Sequence, residues 1–136
     1  MTSTPPPSQD IDIVWQKLNN NQTILITEKN DIQVIEASTL ESYEAIQKIL
    51  KDHFESLPVT MAKDGLVVRA IMYMGENGQY RFSKKEIGIN TLATKIVIDS
   101  YIDMYRSSNI PEELIRSSIS CIYGPVFLFI HNDNTD

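Results

Sequence analysis

Few side chains in this sequence combine the type and the spacing that chemistry requires. The two histidines, His53 and His131, belong to no metal-ligand motif. The single cysteine, Cys121, lies in an apolar run, where a thiol behaves as a small hydrophobic side chain. The sequence therefore predicts no catalytic residue, no metal and no cofactor, and structural roles for all three side chains.

Two carboxylates, Asp99 and Asp103, lie four residues apart on one face of an expected helix and resemble an acid–base pair. Lys95 and Arg106 fall on the same face. Opposite charges three or four residues apart on a helix form salt bridges. The spacing therefore favours a solvated salt-bridge ladder over catalysis.

A ligand pocket is most readily assembled from Tyr73, Tyr80, His53 and Arg69. These side chains would have to converge in one concave site, which is where small molecules bind. Arg69 interrupts an otherwise apolar strand, so it either lies at the edge of the pleat or pairs with an acid. A small-molecule-binding or enzymatic domain with a tyrosine-lined pocket is thus one hypothesis.

The only local cluster of basic residues is Arg81, Lys84 and Lys85, with Tyr80 and Phe82 interleaved. Such a cluster can bind a phosphate or an acidic peptide. An ordinary charged strand end is the favoured interpretation, because exposed lysine and arginine are the rule on protein surfaces.

The elements that must position these residues are organised around a hairpin from Leu57 to Met74. Its turn, Lys63–Gly65, contains Asp-Gly, the strongest hairpin signal in the chain. Gly65 can adopt a positive φ without a clash. The second strand is almost continuously apolar, which predicts a place inside the sheet.

A further turn is expected directly after this hairpin, at Gly75–Gly78, where Asn-Gly suits a tight turn. It would begin a third strand and place Tyr73 opposite Phe82 as an aromatic pair.

Helical periodicity marks four segments. The first helix begins at Asp10, and the second opens at a Ser38–Glu41 capping box and stops before Pro58. The third runs from Thr91 to Tyr105 with a wide apolar arc, capped by Asn90 or Thr91, and a short fourth begins near Pro111.

Short strands are expected at both ends of the chain. A first hairpin pairs residues 23–27 with residues 32–36, and the C-terminal ISCIY and VFLFI segments form one broken strand or two short ones. The predicted fold is α+β: a small antiparallel sheet built from hairpins, with two main helices packed on it. Residues 1–9 are predicted to be a disordered tail and residues 10–136 a single domain.

The charge of the chain bears on its partners. Eighteen acidic against twelve basic residues give a net charge of −6, which would repel nucleic acid and anionic membranes. The N-terminal ten residues lack the basic start and apolar core of a signal peptide, and the apolar run at residues 117–130 is too short for a membrane-spanning helix. We expect a cytoplasmic protein.

The candidate partner surface lies on the third helix. One side of its wide arc covers the sheet, and the other, with Ile98, Ile102 and Tyr105, requires another cover, from this chain or from a second copy. A homodimer is only slightly favoured over a monomer. Tyr73, Tyr80, Arg81 and Phe82 are further candidates for the partner surface.

From Leu40 onward the layout resembles the YbjN-like family, whose fold is similar to that of type III secretion chaperones. The shared features are an amphipathic helix, the Asp64-Gly65 hairpin, and a helix with Asp99-x-Tyr101 or Asp103-x-Tyr105. The family has no settled activity and no catalytic residues to transfer. The resemblance implies a dimeric protein that binds other polypeptides.

Three functions are therefore open. The first is a non-enzymatic protein-interaction module, chaperone-like or regulatory. The second is the small-molecule-binding or enzymatic domain described above, and the third is an inhibitor protein of a phage or mobile element. The first is favoured, since it accounts for the acidic charge and the wide apolar helix.

Overall fold

The fold is given by a computed structural model that describes residues 7–51, 53–76 and 88–130. Tyr80, Arg81, Phe82, Lys84, Lys85 and His131 lie outside these ranges. Within them the chain forms five strands and four helices. The strands are β1 (Thr23–Ile26), β2 (Ile32–Ile35), β3 (Phe54–Lys63), β4 (Leu66–Gly75) and β5 (Val126–Ile130). The helices are α1 (Pro7–Asn19), α2 (Tyr43–Leu50), α3 (Thr91–Met104) and α4 (Glu112–Ser118).

The strands form one antiparallel sheet in the order β2-β1-β5-β4-β3. The predicted α+β class is confirmed, and so are the two hairpins. Asp64 and Gly65 both have positive φ, 51° and 82°, as a two-residue turn that matches the twist of the strands requires. β4 lies between β5 and β3, which is the interior position predicted from its apolar sequence.

The two faces of the sheet are covered by different helices. On one face, α1 and α3 enclose the larger core, which includes Val14, Ile24, Met72, Ile96 and Leu128. On the other face, α2 packs through Ile46 and Leu50 against Leu25 and Phe127. Successive side chains along each strand therefore point to opposite faces of the sheet.

The helix expected between Ser38 and Leu57 is much shorter than predicted. Ala37–Glu41 is a 3-10 turn, Ser42 rather than Ser38 caps α2, and the helix ends at Leu50. The apolar side chains of Phe54 and Leu57 fit a helical stripe and an extended strand equally well. Pairing with Met72–Gly75 satisfies their backbone groups, so the strand forms.

Pro58 therefore stops no helix but lies within β3, the edge strand of the sheet. The nearby Thr60 N–H points away from β4 and donates to Ser100 Oγ of α3 at 2.9 Å. Residues two apart on a strand direct their backbone groups to the same side, so the Pro58 nitrogen faces outward, where no sheet partner requires a donor.

Other boundaries differ in smaller ways. α1 begins at Pro7 rather than at Asp10, so residues 7–9 belong to the helix and not to the expected tail. Of the two C-terminal apolar segments, VFLFI is β5, whereas ISCIY contributes only an isolated bridge between Tyr123 and Ile89.

The expected pairing of Tyr73 with Phe82 is wrong. Tyr73 is aligned with Ser56 on one side and with Phe127 on the other. Each strand has only two hydrogen-bonding edges, so β4 offers no free edge at this position for a third strand.

Asn90 fixes the start of α3 and is fully buried. Its Nδ2 donates to Ile26 O at 3.1 Å and to Gly124 O at 2.8 Å, while its Oδ1 accepts from Ala93 N at 3.0 Å. One side chain thus joins the end of β1, the approach to β5 and the first turn of α3.

We predict that Asn90→Ala lowers the free energy of unfolding by about 3–5 kcal/mol, because it removes a helix cap and two further buried hydrogen bonds to backbone carbonyls. Asn90→Asp keeps the cap acceptor but brings a carboxylate to the same carbonyls, so we expect a loss at least as large. Urea denaturation measures both. Asn19→Ala, at an exposed helix end, is the control and should change stability by less than about 0.5 kcal/mol. Equal losses for Asn90→Ala and Asn19→Ala would contradict this role.

Candidate functional site

Of the residues of the hypothetical tyrosine pocket, Tyr73 and His53 lie along one aromatic row, Arg69 lies further along β4, and Tyr80 is outside the described residues. Tyr73 belongs to an aromatic row on the α2 side of the sheet, with ring-centroid distances of 5.0, 4.8 and 4.9 Å along Tyr43, Phe54, Tyr73 and Phe129. Arg69 is exposed on the same face, four residues and so about 13 Å along β4 from Tyr73. The row is a continuous series of ring contacts.

His53 lies just before β3 and is exposed. Its Nδ1 is 3.2 Å from Tyr43 Oη and 2.9 Å from Gln47 Nε2. The histidine therefore ties the end of α2 to the start of β3. Cys121 is exposed rather than packed as a small hydrophobe.

The salt-bridge interpretation of Asp99 and Asp103 is confirmed. Lys95 Nζ is 3.1 Å from Asp99 Oδ2, and Arg106 Nε is 3.4 Å from Asp103 Oδ1. These pairs are partly exposed on the flank of α3 beside β3, where each contributes only a few tenths of a kcal/mol. Asp99 and Asp103 are each therefore paired with a cation three or four residues away.

An apolar groove lies between α3, α4, the start of β3 and the end of β4. We call it the α3–α4 groove. It has a volume of about 630 Å³. Its defining side chains are Leu57, Met74, Tyr101, Tyr105, Ile110 and Leu114.

The geometry of α3 explains one wall of this groove. The buried residues Leu92, Ala93, Ile96 and Val97 face the sheet. Each residue advances about 100° around a helix, so Tyr101 and Tyr105 follow Val97 in steps of about 40°. They turn progressively away from the sheet, and their rings stack at 6.3 Å with an interplanar angle of 6°.

The opposite wall is built by α4, which is anchored by one residue. Ile115 is buried, whereas Leu114 is 55% exposed and Ile110, just before the helix, is 42% exposed. With Tyr105, which is 40% exposed, they form the rim of the groove. The rim is thus apolar and faces solvent.

The structure places the expected partner residues in different parts of the molecule. Tyr105 lines the groove. Ile98 and Ile102 are half-buried and lie beside the groove, between its tyrosine wall and the salt bridges of α3. Tyr73 belongs to the other face of the sheet, and Tyr80, Arg81 and Phe82 lie outside the described residues.

The groove offers almost no polar chemistry. Among the described residues that line it, Glu55 is the only ionisable side chain apart from the two tyrosines. The hydroxyl of Ser118 is already used, since it donates to Leu114 O at 2.7 Å. Binding here would rest on burial of apolar surface.

The sequence indicates Tyr105 as a partner residue but not Tyr101 or the rest of the groove. Ile110 and Leu114 are four residues apart around Pro111, an apolar spacing that signals one helical face. Leu57 was assigned to the wrong element, so its contribution to the site was not foreseen.

Two properties of the described residues concern metal binding and membrane insertion. No group of three histidine, cysteine, aspartate or glutamate side chains is placed to hold a metal ion among residues 7–51, 53–76 and 88–130. Within the same ranges, no helix has the length and apolarity needed to cross a membrane.

Comparison of the chain with protein-family models, with curated protein sequences and with solved structures gives no match. The YbjN-like resemblance therefore stays a prediction.

We predict that the groove is open in solution, which the stability of two neighbouring variants can test. Ile115→Ala should cost about 2–5 kcal/mol, because it removes a buried side chain, whereas Leu114→Ala should cost at most about 0.5 kcal/mol. Thermal and urea unfolding of both variants provide the measurement. A loss at Leu114 as large as that at Ile115 would show that the leucine is enclosed and the groove closed.

Proposed function

We propose that this protein is a non-enzymatic interaction module whose α3–α4 groove binds an amphipathic helix of a partner protein. The observation that carries the proposal is the apolar rim of Tyr105, Ile110 and Leu114, with 40–55% of each side chain exposed. Clustered exposed apolar residues of this kind are typical of protein-binding surfaces.

A protein helix fits this groove better than a small molecule does. Small-molecule sites usually enclose most of the ligand surface and orient it with several polar groups. Here the rim is half exposed and the described part of the lining contributes a single carboxylate, Glu55. A helix brings its own polar face and so can cover an open apolar rim while remaining solvated outside.

The shape of the lining favours a helix over an extended strand. Strand addition requires a free row of backbone donors and acceptors at a sheet edge. At the outer edge of β3, the Thr60 N–H is taken by Ser100, and Pro58 supplies no donor. The groove itself presents side chains from two helices, into which apolar residues at helical spacing can insert.

The proposal predicts that a neutral amphipathic peptide binds the groove. The probe is a labelled 14-residue peptide with leucines at positions i, i+3, i+4 and i+7 and glutamines elsewhere, and fluorescence anisotropy measures its affinity. Leu114→Asp should weaken binding by about tenfold or more, because it places a charge against a buried leucine.

Val67→Asp is the matched control. Val67 is 57% exposed and its side chain lies on the other face of the sheet from Val68, which is part of the α1–α3 core. This variant should bind the peptide as the wild type does. Equal weakening by the two substitutions, or no saturable binding to the wild type, would contradict the proposal. Saturable binding of a fluorescent fatty acid in place of the peptide would support the small-molecule alternative.

A further inference from the structure

We infer that residues 66–69, which we call the β4 start, form a docking site for an extended strand, and that the occupant is the chain's own C-terminal segment, residues 131–134. The β4 start lies at the other end of β4 from Met74, which lines the α3–α4 groove. The inference therefore does not depend on the proposed function. It comes from the backbone orientation of β4, the place where β5 ends and the cleft beside both.

The backbone groups of Val67 and Arg69 point towards the β5 side of β4. Arg69 lies opposite Thr60, whose N–H points away from β4 and donates to Ser100 Oγ. Directly opposite residues of an antiparallel pair exchange both hydrogen bonds or neither, so the N–H and C=O of Arg69 point away from β3. Val67, two residues earlier, has the same orientation. Each residue thus directs one donor and one acceptor to the β5 side.

β5 covers only the other part of this edge. It is aligned with the second half of β4, and Ile130, its last described residue, lies opposite Ala70. Among the described residues no strand is aligned with the β4 start on this side. The chain therefore leaves β5 at the point where the uncovered edge begins.

Continuation of β5 in the same register places His131 opposite Arg69 and Asp133 opposite Val67. Both are positions where β4 directs its backbone groups towards the added strand, so the two residues can form four backbone hydrogen bonds. The segment begins at the site and needs no linker, which gives it an effective concentration that a separate chain does not reach. The occupant is for this reason the chain itself rather than a second copy.

A cleft of about 630 Å³ beside the β4 start leaves room for the added strand. Ile130 lines this cleft, and Asn19 and Asn21, at the end of α1 and in the turn after it, line the opposite side. Opposite residues of paired strands share a face of the sheet. Asn132 would therefore lie beside Val68 and towards the two asparagines, whose amides can both donate and accept hydrogen bonds.

Arg69 supplies a charge that suits this segment. Its side chain is exposed on the same face of the sheet as that of Val67. Asp133, opposite Val67, would be the diagonal neighbour of Arg69, at about 7–8 Å, which is within reach of a long side chain. The arginine that interrupts the apolar sequence of β4 would then have an acidic partner.

The docked segment would also protect an edge that is prone to association. Leu66 and Val67 are 59% and 57% exposed. An uncovered strand edge with exposed apolar side chains can pair with a strand of another molecule. Asparagine and aspartate are poor strand formers, so a segment rich in them covers the edge without offering a good template for further strands.

The test is NMR of the full chain. The Cα atoms of a non-hydrogen-bonded antiparallel pair are about 4.5 Å apart, which brings their α-protons close enough for a strong nuclear Overhauser cross-peak. We expect this cross-peak between Asn132 and Val68. Asp133→Pro should abolish it and accelerate amide exchange of Val67 by about tenfold or more, because proline cannot donate to the Val67 carbonyl.

A pair of charge variants tests the register. Asp133→Asn should accelerate amide exchange of Val67 by about 1.5- to 5-fold, the range expected for one exposed ion pair. Asp136→Asn removes the same charge from the same segment, beyond the reach of Arg69, and should leave the exchange rate unchanged within error.

Three results would overturn the inference. The first is the lack of the cross-peak between Asn132 and Val68 in the wild type. The second is equal acceleration by Asp133→Asn and Asp136→Asn, which would contradict the assigned register. The third is a cross-peak found only between labelled and unlabelled chains in a mixed sample, which would make the segment of a second copy the occupant.

Discussion

Asn90 is fully buried, and its amide makes three hydrogen bonds to segments that are far apart in the sequence. Thr94 extends this contact, because its hydroxyl donates to Asn90 O at 2.8 Å and accepts from Ile122 N at 2.8 Å. A buried polar group without a partner is costly, so the arrangement is strongly preferred over alternatives that break it. It sets where α3 begins, and therefore which of its residues reach beyond the sheet.

The groove follows from that placement. The N-terminal part of α3 covers the sheet through Ala93, Ile96 and Val97. Near its middle, Ser100 holds the helix against the edge strand by its bond to Thr60 N. Beyond this point Tyr101 packs at the flank of the main core and lines the groove, Tyr105 turns further towards α4, and α4 is held chiefly by Ile115. The resulting surface is apolar because several of its side chains also pack against the edge of the main core. It is open because α4 is too short to cover it.

Much of the fold could be predicted from local sequence because local and tertiary preferences agree there. The Asp64-Gly65 turn, the apolar β4 and the Asn90 cap are examples. The helix prediction for the segment from Ser38 to Leu57 was wrong because the apolar spacing there suits both a helix and a strand. The choice depends on pairing with β4, which is distant in sequence. The groove could be predicted only in part for the same reason: Tyr105 lies on a recognisable helix, whereas the contact of α4 with α3 depends on the whole fold.

The central claim is that the α3–α4 groove binds an amphipathic helix, and methyl NMR of the protein with the neutral leucine peptide tests it most directly. The account predicts that the largest shift changes fall on Leu57, Met74, Ile110, Leu114 and Ile115, which line the groove. Val34 and Val67 are exposed elsewhere on the sheet and should not respond. Shift changes centred on Val34 or Val67, with the groove methyls unaffected, would contradict the account.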